Sequence, residues 1–297
     1  MGVAMSYGEK FRIKPNRKLR LDAIDPAYKG RHETEESAAA ETERYGRRMA
    51  KLQTLLYAER KHSVLVVLQA LDAGGKDGTI NHVFRALNAQ GVRVVSFKQP
   101  TSAELAHDFL WRVHLHAPAR GEIVIFNRSH YEDVLVTRVH KLIDEETWTR
   151  RYRRIRQFES QLADNDTLIL KFFLHISKEE QLARFARRLE DPQRNWKISE
   201  QDYAERDRWD DYISAFEDAI AATSAKRAPW FVIPANHKWF RNLAVSEIIV
   251  EAMEALGMSY PEPAVDLAAI RRKYHAALRE ERAEAKPGKN RRKLAAG

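Results

Sequence analysis

The chain contains no cysteine. Disulfides and thiolate metal sites are therefore excluded, and the cytoplasm is the expected compartment. No apolar run approaches the roughly 20 residues that a membrane helix needs. The opening stretch MGVAMSYGEKFRIKP also lacks the apolar centre of a secretory signal. No internal repeat and no second globular domain are visible. What is present is 297 residues, enough to bury a sizeable core, with 51 Lys and Arg against 42 Asp and Glu. The net charge of +9 points to a polyanionic partner. Nucleic acid, an acidic membrane surface and a phosphate polymer all satisfy that charge.

The most informative stretch is VLVVLQALDAGGKDGTINHVFRAL, residues 64–87. It opens as a β-branched and leucine run typical of a strand buried on both faces of a parallel sheet. It then breaks at Gly74 and Gly75 and resumes with Ile80, Val83, Phe84 and Leu87 at helical spacing. A strand, a glycine loop carrying Lys76 and a helix form the layout of a phosphate-binding loop. The glycines open backbone conformations that aim amide N–H groups at one anion, and Lys76 adds a full charge at the positive end of the helix. Asp77, Gly78 and Thr79 begin that helix. The pattern departs from G-x-x-x-x-G-K-[ST]: Ala70 replaces the first glycine and Asp77 the hydroxyl residue. Asp72 lies inside the loop and would repel phosphate unless a cation sat between them, so Mg²⁺ is expected at Asp72.

Four further strands are expected at 92–97, 122–126, 167–176 and 228–235. Three strand ends carry polar groups: Asp72 with Lys76, Lys98 with Thr101, and Asn127 to Asp133. Ligands of open α/β sheets bind at the carboxyl ends of strands, so these groups are expected in one crevice. A single helix is expected over Ala103 to His114. Between the fourth and fifth strands, residues 177–222 read as two helices around a break at Asp191 and Pro192, with Arg184, Arg187, Arg188, Arg194 and Lys197 gathered there. Such an insertion suits a lid that closes over phosphates. Residues 1–31 form a basic leader, and 261–297 a last helix followed by a basic tail expected to be unstructured. His130 and Tyr131 are assigned to packing, and Trp196 and Trp209 to anchoring the lid helices.

The segments LDAGGKDGTI (71–80), FKQPT (97–101), IFNRSHYEDVLV (125–136), RRLEDPQRNWK (187–197), DRWDDY (207–212) and APWFVIPANHKWFRN (228–242) occur in this order. Together they resemble the polyphosphate kinase 2 family from about residue 30 to residue 260. The resemblance implies an α/β P-loop kinase fold, with a five-stranded parallel sheet flanked by helices and a helical lid. It also implies reversible transfer of the terminal phosphoryl group of inorganic polyphosphate to nucleoside mono- and diphosphates, with Mg²⁺ or Mn²⁺, by a homo-oligomer, either dimer or tetramer. By the same resemblance Asp72 and Asp133 are the metal and catalytic carboxylates, and Lys76 and Arg128 hold phosphates. Arg184, Arg187, Arg188, Arg194 and Lys197 lie on the polyphosphate-binding lid.

The second motif reads NRSHYED, where members restricted to diphosphates look like DRSWYNR. Asn127 and Glu132 make it similar to the subgroup that accepts AMP and ADP, with guanine counterparts. A carboxylate at Glu132 would fill, through a metal-bound water, the space that a longer nucleotide's phosphate occupies. The alternatives are an ADP-only member, a nucleoside monophosphate kinase using ATP, and a non-catalytic nucleic-acid-binding protein. The last would need basic residues on one continuous face with aromatics between them, whereas here they gather at the leader, the lid and the tail.

Overall fold

The structure is a computed structural model that describes residues 5–15 and 17–284. Five parallel strands form the centre: β1 (Ser63–Gln69), β2 (Val92–Ser96), β3 (Ile123–Asn127), β4 (Thr167–His175) and β5 (Trp230–Pro234). Their order in the sheet is β2-β3-β1-β4-β5. β1 is buried along its whole length, as a strand covered on both faces requires, whereas β2 lies at the edge and is partly exposed.

The order fixes where a ligand can sit. β1 and β3 are neighbours, with Leu68 opposite Asn127. The chain leaves β1 across β3 toward β2, but leaves β3 across β1 toward β4. With right-handed crossovers these connections lie on opposite faces and open a crevice beyond the ends of β1 and β3.

Helices cover the sheet. The long helix Glu35–Glu59 starts at a capping box between Thr34 and Ser37, and it packs against the helix Lys238–Glu254. Twelve residues of Lys238–Glu254 are buried, which makes it the most enclosed helix of the fold. The segment set apart in the sequence as a leader adds Tyr7, Phe11, Leu19 and Leu21 to the core. The Tyr7 amide donates to Glu247 Oε1 at 2.8 Å, and the Ile13 amide to the Trp230 carbonyl at 2.8 Å.

The single helix expected over Ala103 to His114 is two short pieces, Ser102–Leu105 and Trp111–His114. Asp108 causes the break, because its carboxylate accepts the Leu110 amide (2.9 Å) and so offers the backbone a turn in place of a helix. The lid region comprises the helices Lys178–Glu190, Glu200–Asp207 and Trp209–Thr223, with a single turn at Asn195–Lys197. From Tyr260 a separate unit holds the helix Leu267–Glu284, whose first amides, of Ala268 and Ala269, are accepted by Asp266 Oδ1. The basic tail at 286–297 lies outside the described residues. Among those described, no helix is long and apolar enough to cross a membrane.

Candidate active site

The glycine loop and the motif after β3 meet beyond the paired ends of β1 and β3. Arg128 Nη2 lies 3.2 Å from Asp72 Oδ1, and Arg128 Nη1 lies 4.0 Å from Glu132 Oε2. Arg128 adopts a left-handed backbone (φ +61°), a conformation costly for a side chain with a Cβ, and its amide is fixed on the Leu68 carbonyl at 3.1 Å. Ala73 does the same in the loop (φ +58°), which turns its carbonyl toward Arg184 Nη1 at 2.9 Å. Of the two adjacent glycines only Gly75 takes a positive φ (+101°). Gly74 lacks a side chain for another reason, since a Cβ there would fall 2.4 Å from that of Ala70.

Lys76 curls back to donate to the Ala70 carbonyl at 3.0 Å. Burial and the nearby Arg128 push its ammonium pKa down, opposed by Asp72, Glu132 and Asp77. Burial pushes the Glu132 carboxyl up against the pull of Arg128 and Lys76. The cleft therefore holds crowded, partly desolvated charge of both signs, which is typical of functional sites. Asp77 accepts from Asn127 Nδ2 at 2.8 Å and faces Lys197 of the lid at 3.8 Å. Thr79 is buried and spends its hydroxyl on the Gly75 carbonyl at 3.0 Å.

Asp72, Arg128 and Glu132 line a narrow cleft, with a cavity of about 40 Å³, whose far wall is the lid. Trp209, Phe216, Leu135 and Val136 make part of it apolar, while Tyr212, Glu205 and Gln181 add polar groups. Gln181 donates to the Asp72 carbonyl at 2.9 Å, which ties the lid to the loop it covers, and Tyr212 donates to Glu205 at 2.6 Å within the lid.

Other residues singled out in the sequence sit elsewhere. Asp133 is not in the wall of this pocket. It lies between Arg112 (3.6 Å) and Arg151 (3.7 Å), with burial pushing its carboxyl up. Lys98 and Thr101 follow the edge strand β2 and stay outside the cluster. Lys98 is exposed, and the Thr101 hydroxyl caps a short helix by accepting the Glu104 amide at 3.3 Å. Arg184 points inward rather than out of the lid: it is 6 % exposed and bonds Glu180 and the carbonyls of Ala73, Ala235 and Asn236. Arg187, Arg188 and Arg194 each pair with a lid carboxylate, of Glu180, Asp202 and Asp191 respectively. Trp196, expected to anchor the lid, is 77 % exposed, whereas Trp209 is buried as expected.

Two cations went unassigned in the sequence although both lie in the quoted stretch NHKWFRN. Lys238 is pushed down by burial and by the neighbouring cations Arg184, Arg187, Arg194 and Arg241; of these only Arg187 and Arg194 join it in a basin open to solvent. Arg241 lies directly under Gly75.

The carboxylates fit a hard divalent cation. Asp133 Oδ2 is buried without a hydrogen-bond partner, and the Asp72 carboxylate reaches the cleft. Oxygen donors of this kind suit Mg²⁺ or Mn²⁺ when substrate phosphates and water complete the shell. Among the described residues no group of three or more Asp, Glu, His or Cys forms a cage by itself.

The profile of the family described as polyphosphate kinase 2 matches residues 32–260. An AMP/ADP-polyphosphate phosphotransferase of Meiothermus ruber is 54 % identical over 256 residues, which cover 86 % of this chain and 96 % of that protein. An ADP-polyphosphate phosphotransferase of Rhodopseudomonas palustris is 44 % identical over 270 residues, which cover 86 % of this chain and 92 % of that protein. A solved polyphosphate kinase 2 from Arthrobacter aurescens superposes with a TM-score of 0.88 at 40 % identity, covering 94 % of this chain and 99 % of that one.

Proposed function

The chain belongs to the polyphosphate kinase 2 family, and from that premise we propose that it transfers the terminal phosphoryl group of inorganic polyphosphate to AMP and to ADP, reversibly, with Mg²⁺ or Mn²⁺. The observation that carries the reading is the meeting of Asp72, Arg128 and Glu132 in one lidded pocket beside the basin of Arg187, Arg194 and Lys238. The charged groups of the cleft suit an acceptor's phosphate, and the cations Arg187, Arg194 and Lys238 suit a phosphate polymer.

In the forward direction an oxygen of the acceptor's terminal phosphate bonds to the terminal phosphorus of the polymer. The bond from that phosphorus to its bridging oxygen breaks, and the shortened polymer leaves with the electron pair. Little covalent work is asked of the protein, so positioning and charge neutralisation dominate. Lys76 and Arg128 hold phosphate oxygens in line, and the amides after Gly75 face the same anion. Asp72, whose carboxylate lines the cleft, would hold the divalent ion, which when bound would neutralise charge gathering on the transferring group. The lid residues Trp209 and Tyr212 exclude water, which would otherwise divert the polymer to hydrolysis.

Glu132 supports acceptance of AMP. Its carboxyl lines the cleft 4.0 Å from Arg128 and is pushed up by burial, and there it would take up the space of a longer acceptor's phosphate. His130 is fully buried against Glu159 (3.2 Å), which supports direct transfer without a phosphohistidine. A homo-oligomer, dimer or tetramer, belongs to the same proposal. A nucleoside monophosphate kinase using ATP would share this cleft and its cations, and the preferred donor, ATP or polyphosphate, separates the two readings.

The test is a time course of purified protein with AMP, long-chain polyphosphate and Mg²⁺, without ATP, resolved by ion-exchange chromatography. ADP should rise and then give way to ATP. Conversion of ADP with AMP untouched would confine the chain to diphosphates, and no conversion of either would overturn the reading.

A further inference from the structure

The least explained group in the molecule is Arg241. It sits on the first turn of the helix Lys238–Glu254, which packs against the loop helix Lys76–Val83. Only 1 % of it is exposed. Nε and Nη2 donate to Asn242 Oδ1 at 3.1 and 2.8 Å, while Nη1 is buried with no hydrogen-bond partner. A Cβ placed on Gly75 would fall 2.1 Å from Nη1, and one on Gly78 would fall 3.3 Å from Nη2. At Gly75 a side chain is thus barred by the guanidinium beneath as well as by the positive φ, while at Gly78 the same guanidinium leaves only a tight fit.

Among the described residues no carboxylate answers this charge. The groups that act on it are its own burial and Arg184, a second cation whose Nη1 lies 3.4 Å from the same point on Gly75. Together they push the guanidinium down to about 9, which still leaves it charged at neutral pH. A buried cation beside another cation, with a donor left over, is an expensive arrangement for a fold to keep. It becomes favourable once an anion occupies the far side of the thin glycine loop.

We propose that Arg241 is a positioning residue for the loop-bound phosphate, supplying from beneath Gly75 and Gly78 a charge whose counter-ion is the substrate. This deepens the proposed function and rests on its assignment of the loop to phosphate. Arg241 need not touch the ligand. By fixing the backbone of residues 75–78 and placing positive charge behind their amides, it strengthens a cradle that Lys76 completes from the other side.

The test uses the full chain and inorganic tripolyphosphate, without nucleotide or metal, read by thermal unfolding. Wild type should be stabilised by the anion. Arg241→Met should unfold, in the free state, no lower than wild type, because it removes an unpaired buried charge. Its anion-induced shift should shrink to that of about tenfold weaker binding, the worth of one charged contact. Arg241→Lys, which keeps a cation at the end of an aliphatic stem, should recover most of the shift. Free Arg241→Met that unfolds below wild type or fails to fold would mark a structural arginine, and a lysine variant as poor as the methionine one would deny the charge a role. Either result overturns the proposal. Absence of any shift in wild type would instead overturn the assignment of the loop to phosphate.

Discussion

Two cations are buried at the heart of this molecule, and they are treated in opposite ways. Lys171, in the middle of β4, is wholly enclosed and fully answered: its ammonium donates to Glu159 Oε2 (2.6 Å), the Thr223 carbonyl (2.9 Å) and the Tyr131 hydroxyl (3.0 Å). Tyr131 in turn donates to Glu159, and Trp230 to Thr223. Arg241 has one amide oxygen and a donor to spare. The difference tracks what each supports. Lys171 ties the NRSHYED turn to the last residue of the lid helix Trp209–Thr223 and must be complete before substrate arrives. Arg241 backs the glycine loop, where completion is the substrate's task. A fold that closes one set of charges and leaves the other open is rigid under its carboxylates and receptive under its phosphates.

The largest test of this contrast is Lys171→Met, which strands the Glu159 carboxylate in the core. Breaking a buried pair from one side should cost about 3–5 kcal/mol of unfolding free energy, measured by urea denaturation. Adding Glu159→Leu should return part of it, since an apolar pair needs no desolvation. A loss below about 1 kcal/mol would show that Lys171 is not the keystone of a closed network. Next in size is Asp72→Asn, on the open side. Its partner Arg128 is 43 % exposed at the side chain, so the ion pair itself contributes little to stability. Transfer, however, should fall by about 10²–10³ in kcat while the unfolding midpoint stays near that of wild type. Wild-type turnover would remove Asp72 from the site.

These contrasts were unevenly legible in the sequence. The five strands announce themselves as β-branched runs and fall within two residues of expectation. The glycine loop was equally plain, because its chemistry is local. Lys98 and Thr101 were drawn in by the rule that strand ends converge, but β2 proved to be the edge strand, one strand removed from the loop. Arg184 looked like its lid neighbours because a helical charge pattern does not reveal which arginine turns inward. Arg241 gave no signal for the same reason: a lone arginine near a helix start is unremarkable until a second helix is packed on it. Pairings between residues more than a hundred apart, such as Gln181 with Asp72, are set by the tertiary fold alone.

The smallest effect separates the two regions by pH. His130 is buried in the closed network, facing Glu159 at 3.2 Å, with the Tyr131 ring tilted against it and Lys171 and Asp133 acting from nearby. Burial is the main cause that lowers its pKa, and Lys171 adds to it, while Glu159 and Asp133 pull the other way without prevailing. The native imidazole thus stays neutral where an unfolded one, with a pKa near 6.5, takes up a proton. A group depressed in the folded state contributes stability above the unfolded value and loses it as pH falls toward the folded value. Wild-type stability should therefore decline below about pH 6.5, by up to about 1.4 kcal/mol per pH unit from this residue. His175, also depressed by burial, adds to the slope, so the comparison must be with His130→Gln, which removes one titration and leaves the other. Urea denaturation of both proteins from pH 8 to pH 5.5 should give a shallower decline in the variant. Parallel curves would mean that the imidazole is protonated in the native state, and that the region taken here as closed binds a proton after all.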